Sequence, residues 1–238
     1  MLFDTSERAI EDYLRAGRSA VDNIEHALSE ASRDFASVRS LLDFGCGHGR
    51  VLRQLRPRIP QARVTACDVD AGGVKFCAAE FGAEGIVSSW KIERIRLGSY
   101  DLIWSGSVFT HLDAYGGDRL LTKLAAALEP GGVLVFSVHG DFSLDGLEHL
   151  YGAIYAEEAE EIRRQVAEEG IAFRPYDASF GSFAGTYGMT WHDRVYLEER
   201  ARVLSGGELE PLAFTPHGWD HHHDVIAFRR RTEPPLAS

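Results

Sequence analysis

The chain has 238 residues, 45% of them hydrophobic, and 36 acidic against 25 basic side chains give a formal net charge of −11. This suffices for one α/β domain with a continuous core; with no Lys/Arg stripe, a basic nucleic-acid-binding face is excluded and no nucleic-acid partner is expected. No stretch approaches membrane-spanning length, residues 1–11 lack the apolar run of a signal peptide, and Cys46, Cys67 and Cys77 match neither a disulfide framework nor zinc spacing, so a cytoplasmic protein is expected.

In chain order, residues 6–15 predict a helix with Ala9, Ile10, Tyr13 and Leu14 on one face. Gly17 is expected to break it. A second helix follows over 19–35, with Val21, Ile24, Ala27 and Leu28 at helical intervals. Residues 38–43 predict the first strand. That strand runs into Leu41-Leu42-Asp43-Phe44-Gly45-Cys46-Gly47-His48-Gly49-Arg50, where an acid precedes three glycines that alternate with larger residues. A helix should follow to about residue 55, stopped by Pro57 and Pro60. Glycines admit a ligand against the backbone and accept positive φ at no steric cost. The N–H groups of the following helix add a mildly positive end. Asp43 stands where a carboxylate receives a cationic amine or orders the N–H groups of the loop.

The acid-x-Gly-x-Gly-x-Gly pattern resembles the first motif of class I S-adenosylmethionine (SAM) methyltransferases. The dinucleotide fingerprint Gly-x-Gly-x-x-Gly fits less well, because Arg50 stands where its third glycine belongs. The resemblance implies that Asp43, Gly45, Cys46, Gly47 and Gly49 lie against SAM. It also implies N-terminal helices over the cofactor. Tyr13 and Arg18 flank the expected break, within reach of the methionine carboxylate or the substrate. The alternative is that Tyr13 packs and Arg18 is solvated.

Residues 62–68 predict the second strand, which ends in Asp68. Ligands of open parallel sheets bind beyond the carboxyl ends of the strands. Asp68 is expected to accept both ribose hydroxyls, with Val69 beside it, and Asp70 to cap a helix from about residue 71. A short strand over 85–88 leads into Ser88-Ser89-Trp90, where the family usually has an acid near the adenine. Ser88 is expected at the cofactor; Trp90 either stacks on the base or packs under the sheet. The fourth strand, over 100–104, leads into Ser105-Gly106-Ser107, with Trp104 in the substrate pocket and Ser105 to Ser107 at the methionine end of SAM. A helix over 120–128, the turn Glu129-Pro130-Gly131-Gly132 and a fifth strand over 133–138 follow.

Residues 140–190 exceed what a crossover needs. They predict an acidic helix over 156–169 and a glycine/aromatic segment over 180–191. That segment is either a lid over a ring-shaped or apolar acceptor or a β-hairpin on the edge of the sheet. Tyr187 and Trp191 are assigned to the substrate pocket. A helix over 193–204 precedes an antiparallel hairpin, 209–215 with 224–229. The fold class is therefore α/β: a doubly wound, Rossmann-like seven-stranded sheet with an antiparallel last strand, N-terminal helices and an insertion after strand five. One methyltransferase domain spans 1–238: a helical cap (1–36), a SAM-binding core (37–139), an acceptor-side insertion (140–190), and the last helix and terminal hairpin (191–238).

Of ten histidines, His139 ends strand five, where an imidazole takes a proton from an acceptor hydroxyl. His111 is the second candidate, or a packing residue. His217 and Trp219 in the final turn are assigned to the pocket. His221-His222-His223-Asp224 has the look of a metal cluster. Within a strand, though, alternate side chains point to opposite faces, so no metal is expected. The stretches Ser107–Leu112, Ser137–Gly140 and Gly218–Val225 resemble a bacterial branch of the family associated with glycan and cell-envelope synthesis, which implies a sugar acceptor. The expected function is SAM-dependent methyl transfer to O or N of a small molecule, with S-adenosylhomocysteine as product. The alternative is a SAM-binding regulatory or scaffold protein without turnover.

Overall fold

The computed structural model describes residues 6–150, 153–177 and 187–233. Its first half alternates strand and helix: α1 (Glu7–Glu30), β1 (Ser40–Phe44), α2 (Leu52–Leu55), β2 (Arg63–Asp68), α3 (Ala71–Phe81), β3 (Glu84–Val87), β4 (Tyr100–Ser105), α4 (Ala114–Ala126) and β5 (Leu128–Val138). Four helices follow, α5 (Asp141–Asp145), α6 (Leu147–Leu150), α7 (Ala153–Ala156) and α8 (Ala159–Glu169). The chain closes with β6 (Ile171–Pro175), β7 (Gly188–His192), α9 (Arg194–Leu204), β8 (Leu209–Trp219) and β9 (His223–Arg230).

β1 is buried at every position, because both faces of the sheet are covered. Leu41, Leu102, Trp104 and Val135 pack with Val21, Ile24 and Leu28 of α1 on one face. Leu42, Ile103, Leu134 and Phe136 pack with Leu121 and Leu124 of α4 and Leu197 of α9 on the other. The strand order is β3-β2-β1-β4-β5-β9-β8. The first five strands run parallel, and β9 runs antiparallel to both β5 and β8. This is the expected doubly wound, Rossmann-like sheet. The chain leaves β1 in both directions, toward β2 on one side and β4 on the other, and a crevice opens there at the carboxyl ends.

The N-terminal region is one helix, not two. Gly17 does not break α1; it lets α1 approach the glycine loop. A Cβ on Gly17 would stand 2.5 Å from the Arg50 carbonyl oxygen. Gly17→Ala should therefore destabilise the fold by about 1–3 kcal/mol, as overpacking does. Gly117 in α4 has no atom within 4 Å of the corresponding position. Gly117→Ala should instead stabilise by up to about 1 kcal/mol, the helix-propensity gain. Thermal melts of both variants check this; equal shifts would contradict the close-approach account.

α4 starts earlier than the leucine pattern indicated, where the Asp113 side chain caps it by accepting from the Gly116 N–H. Two glycines in its first turn hid that start. The helix after the glycine loop is a single turn, α2. β5 begins before its Pro-Gly-Gly, with a register shift opposite Tyr100 and Leu102 and a left-handed Gly131 (φ 78°) absorbing it. In the insertion, β6 and β7 form an antiparallel pair, with Pro175 opposite Gly188. This pair forms a two-stranded sheet of its own and is not an added edge of the seven-stranded sheet; residues 178–186 of the aromatic segment, on which the choice between lid and hairpin falls, lie outside the described residues. No helix among the described residues is long and apolar enough to cross a membrane.

Candidate functional site

Gly45, Gly47 and Gly49 all have positive φ (85°, 48° and 75°), so the loop after β1 turns back over the end of β2. Its N–H groups are mostly used within the protein. Gly45 and Cys46 N–H donate to the Cys67 carbonyl at 2.7 and 3.2 Å, and Gly49 N–H to that of Cys46. The Gly47 N–H donates to Asp68 Oδ2 at 2.8 Å. The loop is thus ordered by Asp68, not by Asp43. The expected helix N-terminus also falls away with the single-turn α2. Asp68 Oδ1 accepts the Asp70 N–H at 2.9 Å. Asp70 caps α3 as expected, accepting from Gly72 N–H.

Asp43 is 1% exposed, and no described residue bonds its Oδ2. Burial first, then the charge of Asp68, pushes its carboxyl up to about 8. An acid so placed is protonated at neutral pH and becomes a carboxylate when a cation sits against it.

Two cavities meet at this point. The larger, about 1010 Å³, includes Tyr13, Asp43, Gly47, Arg50, Trp104, Trp219, His222 and His223 in its walls. The smaller, about 230 Å³, includes Val69, Ser88, Trp90, Val108 and Tyr187. Gly45, Asp68, Gly106 and Ser107 border both. The Trp90 ring meets Tyr187 edge-on, with centroids 5.3 Å apart. Trp90 therefore lines the cavity rather than packing under the sheet.

α1 roofs the larger cavity. Tyr13 O–H donates to the His48 carbonyl at 3.1 Å, and the Arg50 guanidinium lies 5.6 Å over the Tyr13 ring. On the other side, Trp219 Nε1–H donates to the Ala16 carbonyl at 2.8 Å and Arg15 pairs with Asp220 at 2.7 Å. One helix thus ties the glycine loop to the β8–β9 turn. Arg18 is exposed and lies outside both cavities, in line with the solvated reading.

Several expected site residues lie elsewhere. Of the stretch expected at the methionine end, Ser105 is fully buried and borders neither cavity, whereas Gly106 and Ser107 border both. Ser107 has a left-handed φ of 56°, held by its N–H donating to Ser137 Oγ at 2.8 Å. Gly49 turns toward Phe81 instead of the cavity. Trp191 is a core residue, packed with Leu147, Ile162 and Met189. His217 is exposed, with its ring 4.4 Å from that of Phe142.

His139 is 2% exposed and does not line the cavity. Its Nδ1–H donates to the Thr190 carbonyl at 3.0 Å. Burial, then the neighbouring His223 and His111, hold its pKa well below the ordinary value. His111 accords with its packing role: Nδ1 is 2.8 Å from the Gly188 carbonyl, and its ring lies 4.9 Å from Tyr187. Near His139, the histidines that line the cavity are His222 and His223; His48 of the glycine loop lines it as well. His222 precedes β9, in a turn where its N–H donates to the Trp219 carbonyl at 3.0 Å. Asp220 and His221 are left-handed there (φ 55° and 57°). The strand alternation expected to separate adjacent histidines does not apply, and the two rings lie 4.8 Å apart. Arg50, His222 and His223 were not assigned from sequence, whereas Ser107, in the stretch expected at the methionine end, was; of the three, only Arg50, inside the glycine motif, carried a usable signal.

Residues 42–134 match a family model described as "Methyltransferase domain". A malonyl-[acyl-carrier protein] O-methyltransferase of Acetivibrio thermocellus is 28% identical over 153 residues, 63% of this chain and 52% of that protein. A ribosomal RNA small subunit methyltransferase C of Pseudomonas putida is 33% identical over 147 residues, 59% of this chain and 42% of that one. The chain thus spans about half the length or less of these curated relatives. A solved S-adenosylmethionine-dependent methyltransferase from Clostridium acetobutylicum superposes with a TM-score of 0.55 at 16% identity, covering 90% of this chain and 92% of that one.

Proposed function

We propose that this chain is a class I S-adenosylmethionine-dependent methyltransferase, a reading supported by the methyltransferase-domain match over residues 42–134 and by the shared fold, and that it binds SAM across the two joined cavities and methylates O or N of a small molecule. The observation that carries the reading is Asp43: a buried carboxyl with an unbonded oxygen, beside Asp68 on a glycine loop. Unpaired buried carboxyls are costly unless they meet a cation or a donor. SAM carries both an ammonium and a sulfonium. Asp43 holds its cationic methionyl end, with Arg50 and Tyr13 nearby for the carboxylate. Asp68 receives the ribose hydroxyls with the lone pairs left over from the loop. Val69, Ser88, Trp90 and Tyr187 enclose the adenine, aromatic contact replacing the usual acid.

Bound there, SAM supplies a methyl group on a positively charged sulfur, and S-adenosylhomocysteine remains. The residues of this chain supply position and a dry enclosure. Trp104 and Trp219 meet edge-on at 5.5 Å in the wall of the larger cavity. An acceptor hydroxyl there meets His222 and His223 first, with His139 behind them. In the metal-free chain the role expected of His139 as base passes to His222 and His223, which line the cavity; an ion held by the three histidines would act on the hydroxyl in place of a free imidazole. In this reading residues 1–36 form the cap, 37–139 the cofactor core, 140–190 the acceptor-side insertion and 191–238 the closing helix and hairpin, one domain in all.

The net charge of −11 speaks against an RNA acceptor and favours a small hydroxylated or amino compound, such as a sugar precursor. The test is mass-spectrometric detection of methyl transfer from SAM to sugar nucleotides, amines and phenols, with malonyl-acyl-carrier protein and ribosomal RNA alongside. Methylation of a small molecule supports the proposal. Methylation of only the carrier protein or RNA overturns the acceptor class. SAM binding with no transfer to any of them turns the assignment to the non-catalytic alternative.

A further inference from the structure

We propose that His139, His222 and His223 form a binding site for one divalent transition-metal ion of the zinc type, with a coordination position open to the larger cavity. Each side chain contributes one ligand nitrogen, and the three lie within 4.8 Å of one another. Nitrogens around a tetrahedral ion with bonds near 2.1 Å stand roughly 3.4 Å apart, so rotations of about an ångström close the site. Three imidazoles with an open fourth position is the ligand set of catalytic zinc. Hard cations such as magnesium prefer oxygen, and among the described residues no carboxylate joins this group.

The ligands come from two separate elements, and each is oriented from behind. A carbonyl only accepts, so the His139 bond to Thr190 puts the hydrogen on Nδ1 and the lone pair on Nε2. His223 Nδ1 lies 3.2 Å from Ser137 Oγ. Ser137 also receives the Ser107 N–H, which links the group to the turn shared by both cavities. His222 is delivered by the left-handed Asp220 and His221, an unfavourable backbone for residues other than glycine. Arg15 and Ser19 of α1 hold that turn in place. His222 and His223 both line the larger cavity. A hydroxyl acceptor coordinated there would lose its proton more readily. The site rests on the histidine geometry alone and stands whether or not the methyl-transfer reading does.

The test is titration of the metal-stripped full chain with cobalt(II), then zinc. The expected result is one ion per chain, visible d–d bands typical of low-coordinate cobalt, and displacement of cobalt by one equivalent of zinc. His222→Ala, which alters a half-buried turn residue, should weaken binding at least tenfold. His139→Gln should do the same. His26→Ala, on the exposed side of α1, should leave it unchanged. Absence of the bands, or binding that His222→Ala does not weaken, overturns the proposal. SAM titration of the same samples reads the cofactor site separately, so failure of one proposal is not mistaken for failure of the other.

Discussion

Asp68→Ala lowers SAM affinity by about 3 kcal/mol, roughly 150-fold, on the scale of charged hydrogen bonds and orphaned donors. A ribose contact alone would cost less. Asp68 also accepts the N–H groups of Gly47 and Asp70, so its removal leaves the left-handed loop without its anchor. Asp68→Asn should fall between wild type and Ala, because an amide nitrogen cannot accept from the loop. Titration calorimetry measures both. Affinity of the Ala variant within threefold of wild type would remove Asp68 from the cofactor site.

SAM binding at neutral pH should release close to one proton from the protein. In the free chain burial, then Asp68, push the Asp43 carboxyl up to about 8, so it is protonated at pH 7. A cation against it favours the carboxylate. Affinity then rises with pH up to about 8, by as much as tenfold per unit for one linked proton. For folding the sign is opposite. The folded-state value lies above the unfolded carboxylate's, so this group's contribution is full below about pH 4 and is lost as pH rises through about 8. Calorimetry in two buffers of different ionisation enthalpy counts the protons. Asp43→Asn should show no release and a flat pH profile over this range. Release of no proton by the wild type would contradict the role given to Asp43.

The sheet was legible because each strand is a short apolar run ending in a turn, and because acids at 43 and 68 and glycines at 45, 47 and 49 fall where a switch-point crevice needs them. Gly17 was misread because propensity describes an isolated helix, whereas Gly17 answers to the Arg50 carbonyl packed across it. Trp191 and His139 were assigned to an open pocket from their place after strand five. β7 docks there instead, pairing Trp191 with His139 and burying both. His222 and His223 were misjudged for one local reason. The left-handed pair Asp220-His221 carries no glycine or asparagine to announce a turn, so the run read as strand. Ser107 likewise gave no sign of a left-handed backbone, because Ser137, far away in sequence, holds it.

The most direct test of the central claim is calorimetric titration of cofactor-stripped chain with SAM and S-adenosylhomocysteine, with NAD(P) as the comparison. The expected result is one site per chain for each sulfur compound, on the order of micromolar affinity, and no binding of the dinucleotide. Binding of NAD(P) without SAM, or of neither, would contradict it.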